Sequence, residues 1–338
     1  DLAGLDDQAT AAGVLVTADV TAALAVLARH WRSRLPVRVA GVTGTNGKTT
    51  TKDFLAALLR GAGPTCATAG NFNNRLGLPV TVLGLAETDR FAVFEMGASA
   101  VGDIARLAPV AAPETAIITN AAPAHLAEFG SLQDIIEGKG EILDVLPAHG
   151  TAILNADSPG FAAWRDRAPC PVASFGRADA DHVWAWRADD PQGGPVLEMD
   201  GKTWPVPLPG PHNGANLAAA ILAAGALGLR EEEMRRGLAG FAGSPHRGVV
   251  MEMAGRTVLD DCYNANPVSM VAAGQALGKL PGQGKILAVL GPMAELGDDS
   301  RAIHEKTGRD LAGGPVELLV AEHSSFRPVE VRIGPDGA

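Results

Sequence analysis

Cysteine is scarce in this chain of 338 residues: Cys66, Cys170 and Cys262 are far apart and share no spacing. An odd, scattered set excludes a disulfide framework and a cysteine-based metal knuckle, and it fits a reducing, cytoplasmic setting. Positive charge is also short, with 28 Lys and Arg against 38 Asp and Glu, a net charge of −10. That balance argues against non-specific nucleic-acid binding and against a basic membrane patch. No apolar run approaches the roughly 20 residues of a membrane span, and no signal peptide is visible. No Ser/His/Asp or Cys/His pairing stands out for covalent catalysis. Internal repeats and low-complexity tracts are missing too. The chain starts at Asp1 rather than at methionine, as a trimmed or partial chain would.

What the chain does have is a glycine-rich stretch, Gly41-Val42-Thr43-Gly44-Thr45-Asn46-Gly47-Lys48-Thr49-Thr50. Ahead of it, Leu35 to Ala40 is short and Val-rich behind a proline, so a strand is expected there. Behind it, Phe54, Leu55, Leu58 and Leu59 fall at helical spacing and Gly61 ends the run. Strand, glycine turn and a helix opening on Lys-Thr-Thr make a phosphate-binding loop. Turn amides and the positive helix end face the anion, Lys48 reaches the β/γ-phosphates and Thr49 can ligate Mg²⁺. The usual pattern needs glycine at 42, where this chain has valine. The loop is therefore a variant, in the context that separates it from an ordinary turn.

From Leu35 to about Ala156 strands and helices alternate, which predicts a mostly parallel sheet covered on both faces. Phe91–Phe94, Thr115–Thr119 and Thr151–Leu154 read as strands. Ser131 to Leu146 reads as one long helix capped by Ser131. Residues 171–208, with three tryptophans and several prolines, suggest short antiparallel strands. Helices are expected from Asn216 to Leu227 and from near Glu231. After a hinge at Gly243-Ser244-Pro245 the alternation restarts: strand Thr257–Asp260, helix Pro267–Leu280, strand Lys285–Leu290, helix Asp298–Leu311 and strand Val316–Val320. Three parts are expected: 1–34, a connector or remnant with a strand at Gly13–Val16 and a helix from Thr21 to about Arg32; 35–242, an α/β phosphate-loop domain; and 243–338, a smaller Rossmann-like α/β domain. That last part carries no Gly-x-Gly-x-x-Gly, so a dinucleotide there is unsupported.

Ligands of open parallel sheets sit at the carboxyl ends of strands. Glu95 directly follows one such strand and suits either a Mg²⁺ ligand or a salt-bridged cap. Asn120 and His125 follow another, where His125 is a metal ligand or a structural histidine. Lys139, taken alone, is a solvated helix lysine. Asn71, Asn73, Asn74 and Arg75 offer amides and a guanidinium to peptide or carboxylate groups, or form a plain loop. Asp260 to Pro267 either binds a ribose or caps the next helix through Asn266.

Taken together these segments resemble the Mur ligases, the ATP-dependent amide-forming enzymes that build the peptide of peptidoglycan precursors. Thr43–Thr50 matches that family's own loop variant, which accounts for Val42. Four further segments resemble the branch that adds D-alanyl-D-alanine to a UDP-muramyl tripeptide: Gly70–Asn74 with Gly77 and Pro79; Glu95-Met96-Gly97 with Gly102-Asp103-Ile104; Asp260–Pro267 with Ser269-Met270; and Met293–Gly297 with Ser300 and His304. The resemblance covers about residues 37–312.

The resemblance implies that a substrate carboxylate attacks the γ-phosphate of ATP, giving an acyl phosphate that the dipeptide amine then attacks. It places Gly44, Thr45, Asn46, Gly47, Lys48, Thr49 and Thr50 around the phosphates. Two Mg²⁺ ions are implied, the first on Thr49 and Glu95, the second aided by His125 and by Lys139, which matches the family's carbamylated lysine. Asn120 and Asn216 would face adenine, Arg247 the phosphates and Asp261 the ribose, with Asn71, Asn73, Asn74 and Arg75 on the muramyl-peptide side. Glu295 and His304 are assigned only structural support or dipeptide binding.

The family begins with a UDP-binding domain of which 1–34 is at most the end. If residues 1–338 are the whole chain, ATP binding with weak or no ligation is expected. A monomer is the default expectation. Another Mur ligase, a folylpolyglutamate synthase or a nucleotide-dependent switch are the alternatives.

Overall fold

The structure is a computed structural model that describes residues 16–123, 129–188, 194–280, 284–294 and 296–321. The expected strand at Gly13–Val16 falls almost wholly outside them. Helix α1 (Val20–Ser33) starts at Asp19, whose carboxylate accepts from the Ala22 N–H. Then come β1 (Arg38–Thr43), α2 (Lys48–Arg60), β2 (Thr65–Ala67), α3 (Gly77–Leu83), β3 (Phe91–Glu95), α4 (Asp103–Ala111), β4 (Thr115–Ile118) and α5 (Leu132–Gly140). After a 3₁₀ turn (Glu141–Val145) follow β5 (Thr151–Asn155), α6 (Phe161–Arg167), β6 (Val172–Gly176), β7 (His182–Arg187), β8 (Val196–Met199), β9 (Lys202–Pro205), α7 (Pro211–Ala226) and α8 (Glu231–Ala239).

Among the described residues these nine strands form one sheet, ordered β2-β3-β1-β4-β5-β6-β7-β8-β9. Pairing is parallel from β2 to β7 and antiparallel from β7 to β9. The period of two along the strands divides the core. Val42, Val93, Ile117 and Ile153 face one layer, packed by α2, α7 and α8. Val39, Phe94, Ile118 and Leu154 face the other, under α1 and α3 to α6. Both faces of the central strands are covered, as βαβ crossovers require.

After Gly243-Ser244-Pro245, β10 (Val249–Met253) and β11 (Arg256–Asp260) form an antiparallel hairpin, followed by α9 (Pro267–Leu277). Strand β12 (Leu287–Leu290), a 3₁₀ turn (Gly297–Asp299), α10 (Ser300–Ala312) and β13 (Leu318–Ala321) complete the described chain. β12 and β13 pair in parallel.

Four expectations need correcting. The helix expected over 131–146 keeps its Ser131 cap but turns from α to 3₁₀ after Gly140. Glu141 there accepts from the Gly102 and Ala105 N–H groups, and this tertiary capping of α4 displaces regular helix geometry. Helix α7 begins at Pro211, not Asn216, because proline suits the first helical turn. The strand ending at Asp260 has an unforeseen hairpin partner, β10; its turn puts Ala254 at φ 51° and Gly255 at φ 73°, the two left-handed residues of a type I′ turn. Of the strands expected to be antiparallel over 171–208, β6 pairs in parallel with β5 and β7, whereas β7–β9 are antiparallel and extend the main sheet.

Helices α2 and α8 cross at Gly237, where an added Cβ would lie 2.2 Å from the Ala57 carbonyl oxygen. Gly237→Ala should destabilise by about 1–3 kcal/mol through backbone displacement. Gly225→Ala, in α7 with only the Met234 methyl at 3.8 Å, should instead stabilise by about 0.5–1 kcal/mol. Urea denaturation of the two variants checks the opposite signs.

Candidate active site

Strand β1 lies between β3 and β4, so crossovers leave it on one side and β4 on the other. A crevice opens at that switch point, beyond the carboxyl ends of both strands. The loop after β1 and the loop after β4 are laced together there. Thr45 N–H donates to the Asn120 carbonyl at 2.9 Å, and Asn46 N–H donates to Asn120 Oδ1 at 3.0 Å. Asn120 Nδ2 donates back to the Asn46 carbonyl at 3.1 Å, which also accepts from Thr119 Oγ1 at 2.6 Å. Gly47 opens α2 with φ 80°, and a Cβ there would stand 2.3 Å from Asn216 Oδ1. Glycine is thus required twice over, by dihedral and by space.

The crevice widens into a cavity of about 1030 Å³. The loop residues Thr45 to Thr50 form its floor, with Asn120 and Asn216 beside them. Asn71, Asn73, Asn74, Arg75 and Glu95 line it, as do Arg247, Asp261, Tyr263 and Asn266 from the chain after Pro245. Among the described residues, Asn266 Nδ2 donates to Asn46 Oδ1 at 2.6 Å and Ser244 Oγ donates to Asp53, tying the chain after Gly243 to the loop and to α2. The same Asn266 caps α9, its Oδ1 accepting from Ser269 N–H at 2.9 Å. Arg247 stacks on Tyr263, 4.1 Å from the ring centroid.

Basic and acidic side chains meet in this cavity, Lys48, Arg75 and Arg247 against Glu95, Asp103 and Asp261. Lys48 Nζ donates to the Gly44 and Thr45 carbonyls, both at 2.9 Å. Burial lowers its pKa first, Glu95 opposes that and Arg247 adds to it. Lys139 is 2 % exposed, its Nζ donating to the Ala98 carbonyl at 3.2 Å and lying 5.0 Å over the Phe129 ring. Burial, then Lys48, lower it to about 7 despite Asp103 and Glu141. The solvated lysine expected from the sequence alone is therefore a buried one. Its place on α5 explains this: it follows Ile135 by four and Ile136 by three, on the apolar stripe. Asp261 is pushed up to about 6, mainly by burial, with Arg247 and the Gly248 N–H working against it.

Glu95 is 2 % exposed; Oε1 accepts from Asn73 Nδ2 at 2.8 Å, while Oε2 is buried without a partner. A buried carboxylate oxygen left unpaired is costly, and a cation with open coordination positions answers that deficit. Thr49, also buried, stands in the first turn of α2 on the cavity wall.

Of the residues predicted from sequence, Gly44, Lys139 and His304 do not line the cavity and His125 and Glu295 fall outside the described residues; the others line it. Asn74 spends its Oδ1 on the Leu76 and Gly77 N–H groups at the start of α3, and Asn73 is bound to Glu95. Asn216 accepts from Thr51 Oγ1 and donates to Asn213 Oδ1. His304 is buried on α10, Nε2 accepting from Met293 N–H and Nδ1 donating to the Ser300 carbonyl. Sequence reasoning missed Tyr263 as the platform under Arg247, and the reach of Asn266 to Asn46; only its capping role was readable.

The Lys139 shift has a sign that can be measured. Folding holds the amine neutral above about pH 7, whereas the unfolded chain keeps its proton until about 10.5. The unfolded state binds more protons in that window, so this residue makes stability rise with pH there. Lys139→Met should remove roughly 1 kcal/mol per pH unit of that rise. Denaturation of both proteins at about pH 7 and about pH 9, free of carbon dioxide, tests it; equal slopes would assign the rise elsewhere.

Comparison with known proteins places this geometry. The chain matches the Mur ligase middle domain over residues 42–224 and the Mur ligase glutamate ligase domain over residues 246–331. It is 37% identical over 309 residues to the UDP-N-acetylmuramoyl-tripeptide–D-alanyl-D-alanine ligase of Bacillus subtilis (strain 168), covering 90% of this chain and 67% of that protein. Its fold superposes on MurF from Acinetobacter baumannii with a TM-score of 0.85 at 36% identity, over 91% of this chain and 68% of that one. The MurF ligase from Thermotoga maritima, solved in complex with ADP, gives 0.81 at 30% identity, over 92% and 73%. The chain thus spans about two thirds of the first two relatives' length. On the strength of both domain matches and this identity, the chain belongs to the Mur ligase family.

Proposed function

We propose that this chain forms an amide bond at the expense of ATP, joining D-alanyl-D-alanine to a UDP-N-acetylmuramoyl tripeptide in peptidoglycan precursor synthesis. The observation that carries the reading is the gathering of three basic side chains, Lys48, Lys139 and Arg247, around a phosphate loop in an otherwise acidic chain. Such cations repel one another until a polyanion arrives, and relatives of the same fold act on these substrates by name. The D-alanyl-D-alanine branch rests on that identity, and the cytoplasmic location on the unpaired thiols of Cys66, Cys170 and Cys262.

The tripeptide carboxylate attacks the γ-phosphorus, the bond to the β-phosphate oxygen breaks, and ADP departs. The dipeptide amine then attacks the acyl carbon, loses a proton and expels phosphate. Catalysis is mostly positioning and charge neutralisation. Lys48 neutralises the β/γ-phosphates and the loop amides hold their oxygens, while Arg247, braced on Tyr263, covers the phosphates from the second domain. Asp261 takes the ribose, Asn120 and Asn216 border the adenine, and Asn71, Asn73, Asn74 and Arg75 border the muramyl peptide. Residues 35–242 and 243–338 act as two domains that share one nucleotide, so binding requires both.

Glu95 Oε2 and Thr49 suit one Mg²⁺; His125 and Lys139, as its carbamate, suit a second. Mg²⁺ supplies charge neutralisation on the transferring phosphoryl group. A neutral amine is what carbon dioxide reacts with, and Lys139 near pKa 7 is partly neutral at neutral pH. The nitrogen bonds to carbon, a proton leaves, and an ammonium that repels Mg²⁺ becomes a hard anionic oxygen donor.

Phosphate release should require ATP, the tripeptide and the dipeptide together; release indifferent to the dipeptide would point to a nucleotide switch. Lys139→Ala should lower turnover about 100-fold or more. Labelled bicarbonate should give a carbamate carbon-13 signal that this variant lacks, and full activity of the variant would remove Lys139 from the mechanism.

A further inference from the structure

A second cluster of ligand-bearing side chains lies beside the cleft but outside its wall. We propose that His246, Asp260 and Cys262 bind one transition-metal ion of the zinc class, independently of the nucleotide.

Among the described residues, these are the three His, Cys, Asp or Glu side chains whose ligand atoms all lie within 4.8 Å of one another. His246 Nδ1 stands 2.7 Å from Asp260 Oδ2, and the Cys262 thiol hydrogen-bonds to the same carboxylate. Nitrogen and sulfur donors therefore already converge on one oxygen ligand, with protons between them. Zinc bonds of about 2.0–2.3 Å place ligand atoms roughly 3.3–3.8 Å apart, so shifts of about an ångström would seat the ion. It would replace the thiol proton and the imidazole hydrogen bond, releasing the thiol proton to solvent. His246 and Cys262 are exposed, which leaves a fourth position open to water.

The donor set decides the metal. One imidazole, one thiolate and one carboxylate favour zinc or cobalt(II), whereas Mg²⁺ takes oxygen ligands in octahedral geometry. The Mg²⁺ that accompanies a nucleotide would not compete here.

The backbone holds the ligands from two distant segments. Tyr263 N–H donates to the His246 carbonyl at 3.1 Å, continuing the β10–β11 pairing that sets Val249 opposite Asp260. His246 adopts φ 62°, a left-handed conformation that few residues other than glycine enter, histidine more readily than most. Asp260 and Cys262 alternate with Asp261 and Tyr263, as His246 does with Arg247, so Arg247, Asp261 and Tyr263 reach the cavity while the trio does not.

Cobalt(II) titration of the nucleotide-free chain tests the site. One equivalent should produce a thiolate-to-cobalt charge-transfer band, displaced by zinc but not by magnesium. Cys262→Ser should abolish the band, and His246→Gly should weaken cobalt binding about tenfold or more. Glycine suits the left-handed backbone, so that variant should keep its thermal stability. Cys66→Ser and Cys170→Ser should leave the band intact. Absence of the band from the unaltered chain, or its survival in Cys262→Ser, would overturn the proposal.

Discussion

The lacing of Asn46 to Asn120 is the contact on which the site depends. A glycine-rich turn has many conformations, and an anion cradle needs one. Here the choice is made by the neighbouring strand: the Asn120 amide meets both the N–H and the carbonyl of Asn46, and Thr119 adds a third bond. Because β1 and β4 are adjacent parallel strands, their loops emerge side by side at the switch point. Sheet order therefore fixes loop shape before any ligand arrives, and ordering entropy is spent in folding rather than in binding.

The electrostatic organisation builds on that frame. A net charge of −10 would repel a nucleotide at long range, but screening confines that repulsion to about 10 Å in ordinary salt. At the cleft three basic groups, Lys48 and Arg247 on its wall and Lys139 behind it, are each anchored on carbonyls or a ring. Glu95 stands among them with one oxygen tied to Asn73 and the other unpaired. An unpaired buried carboxylate oxygen is unfavourable in itself, a common feature of sites that trade stability for function.

Much of this was legible in the sequence, for definite reasons. Gly47-Lys48-Thr49 could be read because a Val-rich strand precedes it and an amphipathic helix follows. Glu95 could be placed at a strand end because Phe91 to Phe94 is a short apolar run. Hidden features were those where one residue type plays against habit. Ala254 takes a left-handed turn position usually marked by asparagine or glycine, so the hairpin before Asp260 was invisible. Lys139 looks solvated by charge, although its spacing from Ile135 and Ile136 places it inside. The bond from Asn266 to Asn46 joins residues 220 apart, and no local pattern encodes such a contact.

That asparagine narrows the chemistry allowed at its position. Helix caps ordinarily accept asparagine, aspartate or serine almost interchangeably. At position 266 the cap oxygen is committed to Ser269, which fixes the amide's orientation and turns its NH₂ toward the Asn46 oxygen. Aspartate would cap α9 equally well yet set acceptor against acceptor across the cleft, and serine would cap without the reach. The interchangeable set thus collapses to one residue, because a single planar group terminates a helix in one half of the molecule and grips the phosphate loop in the other.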